Sequence, residues 1–278
     1  MWRIATAVVL ASVAAASAQT PTFVFRVTVQ NPGVQSSTLD GSFTSGTNGA
    51  VNTFDNVPAS LASSNGYTAI TSSNYTRVTG GTTTATTGID ARSSYSAGTP
   101  GASVAAADQY GGAGGTGRYL IAGPYTGAVN TVTLQLSQTA YYFGYWWSAL
   151  DTANRIEFYK GTTLVDVLDA GRLINFLPNT YKGNPTANFS GQDPNELFAF
   201  ANVYDDRVGN AARGFDRVVI ANSSTGTGNE TDNHTFSFST AVPTALRADE
   251  TLVPVPEPAG LLAAAGGLLV LVRRLLRS

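Results

Sequence analysis

Four oxygen-bearing side chains stand in pairs that could do chemistry: Asp151 with Asn154, and Glu230 with Asp232, the latter followed directly by Asn233. Carboxylates and carboxamides are the donors a hard cation takes, so the four form a candidate Ca²⁺ site that would brace the fold. The same spacings have a plainer reading. Asp-x-x-Asn at a strand end closes an Asx turn, and Asp232-Asn233 can cap a turn before a last strand. Two facing carboxylates would also suit glycoside hydrolysis, but nothing in the spacing of Asp151, Glu157, Glu230 and Asp232 selects a pair. The single histidine, His234, reads as a strand-edge residue. No Gly-x-Ser-x-Gly elbow or His-Glu-x-x-His helix accompanies it, so no catalytic residue is assigned and no enzyme is expected.

The other candidate chemistry is aromatic. Tyr141, Tyr142, Tyr145, Trp146 and Trp147 crowd one segment. Ring faces of this kind stack on sugar rings, with polar tips to orient them. Strand alternation turns Phe143, Tyr145 and Trp147 to one side and Tyr142 and Trp146 to the other. With the first set inward, Tyr142 and Trp146 are the candidate carbohydrate platform. The competing reading makes all of them core residues in a chain short of large apolar side chains.

The elements that must position these groups read as β-structure. Phe23, Phe25, Val27 and Val29 alternate with polar residues, as do Val132, Leu134 and Leu136. Residues 155–159 and 163–168 flank Lys160-Gly161-Thr162 as a hairpin. Residues 197–204, 215–220 and 235–238 supply further strands. Residues 31–118 are rich in Ser, Thr and Gly, with scattered aromatics, and read as long loops and marginal strands. No 3.6-residue period appears between the two termini. The expected fold is all-β, a jelly-roll-like antiparallel β-sandwich.

Both ends read as processing segments. Met1-Trp2-Arg3, an apolar stretch to Val13, and Ala16-Ser17-Ala18 describe a signal peptide over 1–18, with cleavage by signal peptidase between Ala18 and Gln19. The ectodomain is then 19–246, and 247–258 is a Pro-rich linker ending in Pro256-Glu257-Pro258. An apolar run from Ala259 to Val272 follows, stopping at Arg273, Arg274 and Arg277. At about 1.5 Å per residue the strictly apolar part is short for a bilayer. The arginines favour a cytoplasmic C-terminus by the positive-inside rule, leaving everything before the helix outside. Residues 259–278 are therefore expected to be a membrane helix.

This tail resembles the PEP-CTERM sorting signal of bacterial surface and exopolysaccharide-associated proteins. The resemblance implies recognition and removal by an exosortase, with Pro256, Glu257, Pro258, Arg273 and Arg274 as the signal. The middle of the chain is similar to a signature in the same group, Phe-Gly-Phe-x-Trp-Gly-Ser-x-Asp-x-x-Asn-x-x-x-Phe-Tyr. Phe143, Gly144, Trp147, Asp151, Asn154, Phe158 and Tyr159 match it, and Ser148-Ala149 departs from it. Tyr110 to Gly115, Ala201 to Tyr204, Phe215 to Val219 and Glu230 to Asn233 fall in the group's order. A polar insert, Asn222 to Asn229, precedes the last of these. The group implies a secreted or surface protein, transiently anchored at the inner membrane and associated with extracellular polysaccharide or biofilm.

Composition names no ligand. There are no cysteines, so no disulfide framework despite the exported setting. Residues 19–258 hold 18 acidic against 12 basic side chains, a net of −6. That balance argues against nucleic acid as a partner.

Overall fold

A computed structural model describes residues 25–39, 46–55, 68–70, 89–90, 92–97, 102–123, 130–207 and 209–255. The cleavage position at Ala18 and Gln19, the Pro256-Glu257-Pro258 motif, the apolar run, and Arg273 and Arg274 lie outside these residues. No helix among the described residues is long and apolar enough to cross a membrane.

The regular structure of the described residues is mostly β-strand in antiparallel sheets, with almost no helix. In order the strands are β1 (Arg26–Gln30), β2 (Gly49–Asn52), β3 (Thr68–Ile70), β4 (Ser93–Ala97), β5 (Ala102–Ala106), β6 (Arg118–Ile121) and β7 (Asn130–Ala140). They continue as β8 (Tyr142–Leu150), β9 (Asn154–Lys160), β10 (Thr163–Asp169), β11 (Leu197–Tyr204), β12 (Phe215–Asn222), β13 (Glu230–Ser237) and β14 (Glu250–Leu252). One short helix, α1 (Ala170–Ile174), follows β10.

The larger sheet runs β14-β1-β11-β8-β13-β6-β5-β3, with β2 also paired to β13. The smaller runs β10-β9-β12-β7-β4. From β6 onward the chain weaves between them: β7, β9, β10 and β12 enter the smaller sheet, and β8, β11 and β13 the larger.

Facing sides of the two sheets build one core. Phe143, Tyr145 and Trp147 of β8 and Val27 and Val29 of β1 share it with Val132, Leu134 and Leu136 of β7 and Val218 and Ile220 of β12. Phe158 of β9 bridges the sheets, its ring 5.3 Å from Phe25 and 6.2 Å from Phe143, both edge-on. Edge-on rings use the aromatic quadrupole as well as area. The inward sets expected from alternation on β7 and β8 are thus in place, as are Phe25, Val27 and Val29, while Phe23 lies outside the described residues.

The outward side of the larger sheet is covered too, which alternation did not announce. Every residue of β8 is buried. Trp146 packs with Ala149, Phe198 and Phe200 beneath Ala113, and Tyr142 with Tyr204, Leu39 and Val242. Gly144 makes this possible: a Cβ there would fall 2.1 Å from the Tyr142 hydroxyl. A residue with a side chain would push Tyr142 off the sheet.

Three boundaries differ from the sequence reading. Glu250–Leu252, assigned to the Pro-rich linker, is β14, paired to β1 from Thr28↔Leu252 to Gln30↔Glu250. The folded unit then continues to Val253, buried in the core with its N–H bonded to Val27 O at 2.9 Å. The last long strand begins at Glu230 instead of 235, so Glu230 to Asn233 is strand and not the turn before it.

Candidate functional site

β13 decides where the chemistry-bearing residues point. Asn233 has a positive φ of 49°, and the register against β8 slips between Asp232 and Thr235. This extra residue is a β-bulge, and it inverts the alternation around it. Before the bulge Glu230 and Asp232 face outward, opposite Ser148 and Trp146. After it His234 and Phe236 face the core.

Glu230 is 7% exposed and gathers other carboxylates around it. Burial drives its pKa well above the ordinary range, and Asp151, Glu196 and Asp108 push it further. Glu196 rises to about 7, first by burial, then by repulsion from Asp151 and Asp193. Asp151 is raised by burial, and Asp193 by burial and then Asp108. The five acids come from three separate connections and one strand start: Asp108 before β6, Asp151 after β8, Asp193 and Glu196 before β11, and Glu230. Gly228 leaves the space for this, since a Cβ there would sit 1.8 Å from Glu230 Oε1.

The four residues expected as cation ligands divide two and two. Asp151 and Glu230 are brought into electrostatic reach of one another. Asn154 is spent on the turn, accepting from Asp151 N at 3.0 Å and donating to Gly228 O at 2.5 Å. Asp232 accepts from Ala113 N at 2.8 Å and Asn233 N at 2.7 Å, and so holds the covering segment over Trp146. The expected four-residue site is therefore not assembled as such, and Asn154 does the Asx-turn work that its spacing also predicted. Among the described residues no group of three or more His, Cys, Asp or Glu is arranged to hold a metal ion. Asp108, Asp193 and Glu196 were missed because only the long connections carry them to Glu230; no spacing signal links them.

The expected sugar platform is likewise not open at the surface. Tyr142 is 0% and Trp146 1% exposed, so neither offers a ring face to a ligand. Tyr142 instead donates to Asn202 Oδ1 at 2.7 Å and meets Ser37 Oγ at 3.0 Å.

His234 is a core residue, not a strand edge, with β2 and β8 on either side of β13. Its Nδ1 lies 2.9 Å from Tyr95 OH, and the rings of Phe54 and Phe143 stand edge-on to it at 5.1 and 5.4 Å. Nε2 has no partner. Burial lowers its pKa to about 3. Asn52 continues the network, donating to Tyr95 OH at 2.8 Å and Ser93 Oγ at 2.9 Å.

No family model, curated protein or solved structure matches this chain.

Proposed function

We propose that this chain is exported, sorted by an exosortase through its Pro-Glu-Pro tail, and works without catalysis as a surface or matrix protein associated with extracellular polysaccharide. The observation that carries the reading is how close the folded unit comes to the tail. Arg172 of α1 donates to Pro254 O at 2.8 Å and Val253 O at 3.0 Å. This clasp lies two residues before Pro256. A processing enzyme at the membrane would thus meet Pro-Glu-Pro directly after a fixed point.

The reading includes a jelly-roll architecture. Eight consecutive strands, β6 to β13, support it by forming the runs β6-β13-β8-β11 and β7-β12-β9-β10. That order follows from two Greek keys wound together. A larger sheet whose central strand is buried on both faces suits a cysteine-free module that must persist outside a cell.

Intact mass and C-terminal peptide mapping of the protein from its native host test the sorting claim. A species starting at Gln19 and ending within 256–258 supports it. A species retaining Arg273 and Arg274 overturns it and leaves a membrane-tethered domain.

A further inference from the structure

The residues at the β1–β14 edge carry an arrangement that hydrogen bonding alone leaves unfinished. Gln30, at the end of β1, is fully buried, and its Nε2 has no hydrogen-bond partner among the described residues. Glu250 sits directly opposite on β14, 7% exposed, and its Oε2 also lacks a partner among these residues. Tyr204 donates to the other oxygen of Glu250 at 2.7 Å. Thr38 reaches this spot from the segment that crosses the outward face of the sheet. Its hydroxyl lies 2.6 Å from Asp249 Oδ2 and 3.2 Å from Gln30 Oε1. Buried polar atoms without partners are costly, and two on facing residues call for an explanation.

We propose that Thr38 and Gln30 become joined by an intramolecular ester that the protein forms itself. Three groups in contact match the parts of an acyl transfer: a nucleophile, a base and an acyl donor. The Thr38 hydroxyl gives its proton to Asp249 as Oγ1 bonds to Gln30 Cδ. The tetrahedral adduct then collapses with cleavage of the Cδ–Nε2 bond. The proton held by Asp249 passes to the departing nitrogen, which leaves as ammonia, and Asp249 returns to a carboxylate. A hydroxyl and a carboxamide become an ester and ammonia, with no oxidant, metal or other reactant.

The surroundings favour this direction. The Thr38 hydrogen bond, ahead of other causes, lowers the Asp249 pKa, so the base stands ionised. Arg247 fixes both partners, donating to Asp249 Oδ1 at 3.2 Å and Thr38 O at 2.8 Å. Loss of ammonia removes the one donor of Gln30 that has no acceptor. Burial of Gln30 keeps water from the ester once formed. One turnover per chain suffices, so a slow reaction in a held geometry is enough. The product pins the segment over Tyr142 and Tyr204 to the edge of the domain. The proposal is independent of the sorting reading.

The test is tandem mass spectrometry of the full chain after trypsin. The peptide 27–77 holds both residues. It is expected one ammonia lighter than its sequence, with no backbone fragment ions between residues 30 and 38. Hydroxylamine should restore those ions and leave a hydroxamate at Gln30. Thr38→Val and Gln30→Glu should lose the cross-link entirely, Asp249→Asn should form it more slowly, and Thr38→Ser should retain it. An unmodified wild-type peptide overturns the proposal, as does conversion of Gln30 to glutamate or an ammonia loss that persists in Thr38→Val. Ammonia lost at a Gln-led N-terminus or at Asn48-Gly49 is distinguished by its position and does not count in its favour.

Discussion

His234 gives the sharpest test of the core, because it is the single histidine of the chain and its signals need no assignment. Burial lowers its pKa from 6.5 to about 3. In the unfolded chain it takes up a proton below about pH 6.5, while in the folded chain it stays neutral until about pH 3. Its contribution to stability is therefore complete above pH 6.5 and falls as pH drops through that window. The full window is worth about 5 kcal/mol, and about 3 kcal/mol is lost by pH 4. The raised carboxyl groups work the other way, so wild type alone would mix the two effects. A His234→Phe variant separates them. It keeps the aromatic contacts with Phe54 and Phe143 and loses the Tyr95 bond, an offset that does not vary with pH. Urea unfolding followed by tryptophan fluorescence at pH 7, 5.5 and 4 should show wild type losing about 3 kcal/mol relative to the variant. The imidazole Cε1–H resonance of folded wild type should stay at its neutral position from pH 8 to 5. An imidazole titrating near 6.5 in the folded protein, or stability curves that run parallel, would refute the reasoning.

Glu230→Gln mimics a carboxyl that burial and Asp151 already hold neutral. The variant should match wild type near pH 4 and gain on it by about 1.4 kcal/mol per pH unit above, until the native carboxyl ionises. Parallel profiles from pH 4 to 8 would mean that the group is ionised and solvated. Trp146→Ala should cost about 3–5 kcal/mol in urea unfolding, because it empties the cluster with Phe198 and Phe200; a loss under about 1 kcal/mol would place the ring in solvent. Arg172→Ala removes two charged hydrogen bonds at the C-terminal clasp, worth about 1.5–3 kcal/mol each. Amide exchange at Val253 should then speed up by at least about tenfold while Val218 in the core is unchanged. Equal acceleration at both sites would show global destabilisation instead.

Much of this fold was written plainly in the chain. Period-two patterns placed Val27, Val29, Val132, Leu134, Leu136, Phe143, Tyr145 and Trp147 inward, and the hairpin at Lys160-Gly161-Thr162 closes β9 on β10. Those patterns report on one face and its neighbours. The covering of the other face was hidden, because segments far along the chain supply it: Leu39, Ala113 and Val242 lie over Tyr142 and Trp146. The outward aromatics therefore left a platform and a core reading both open, and the core reading holds, since Tyr142 and Trp146 are buried. The acid cluster was half legible for the same reason. Asp151 and Glu230 flank recognisable strands, while Asp193 and Glu196 sit in the connection after α1, whose path no local pattern encodes. β14 was obscured by its prolines, which mark a linker by composition but here stand at 254 and beyond, just past the pairing residues.

The bulge at Asn233 also sets a rule for heredity. One inserted residue places His234 inside and Asp232 outside, so strand length here is counted in odd and even. Losing Asn233 would close the bulge and leave His234 opposite Tyr145 and Phe236 opposite Phe143, both still inward, whereas one further loss would turn them outward together. Descendants of this gene can accept a gain or loss of one codon in the exposed turn at 223–226, where nothing alternates. Within β13 the bulge can absorb one loss, and any other single change turns the side chains beyond it to the opposite face.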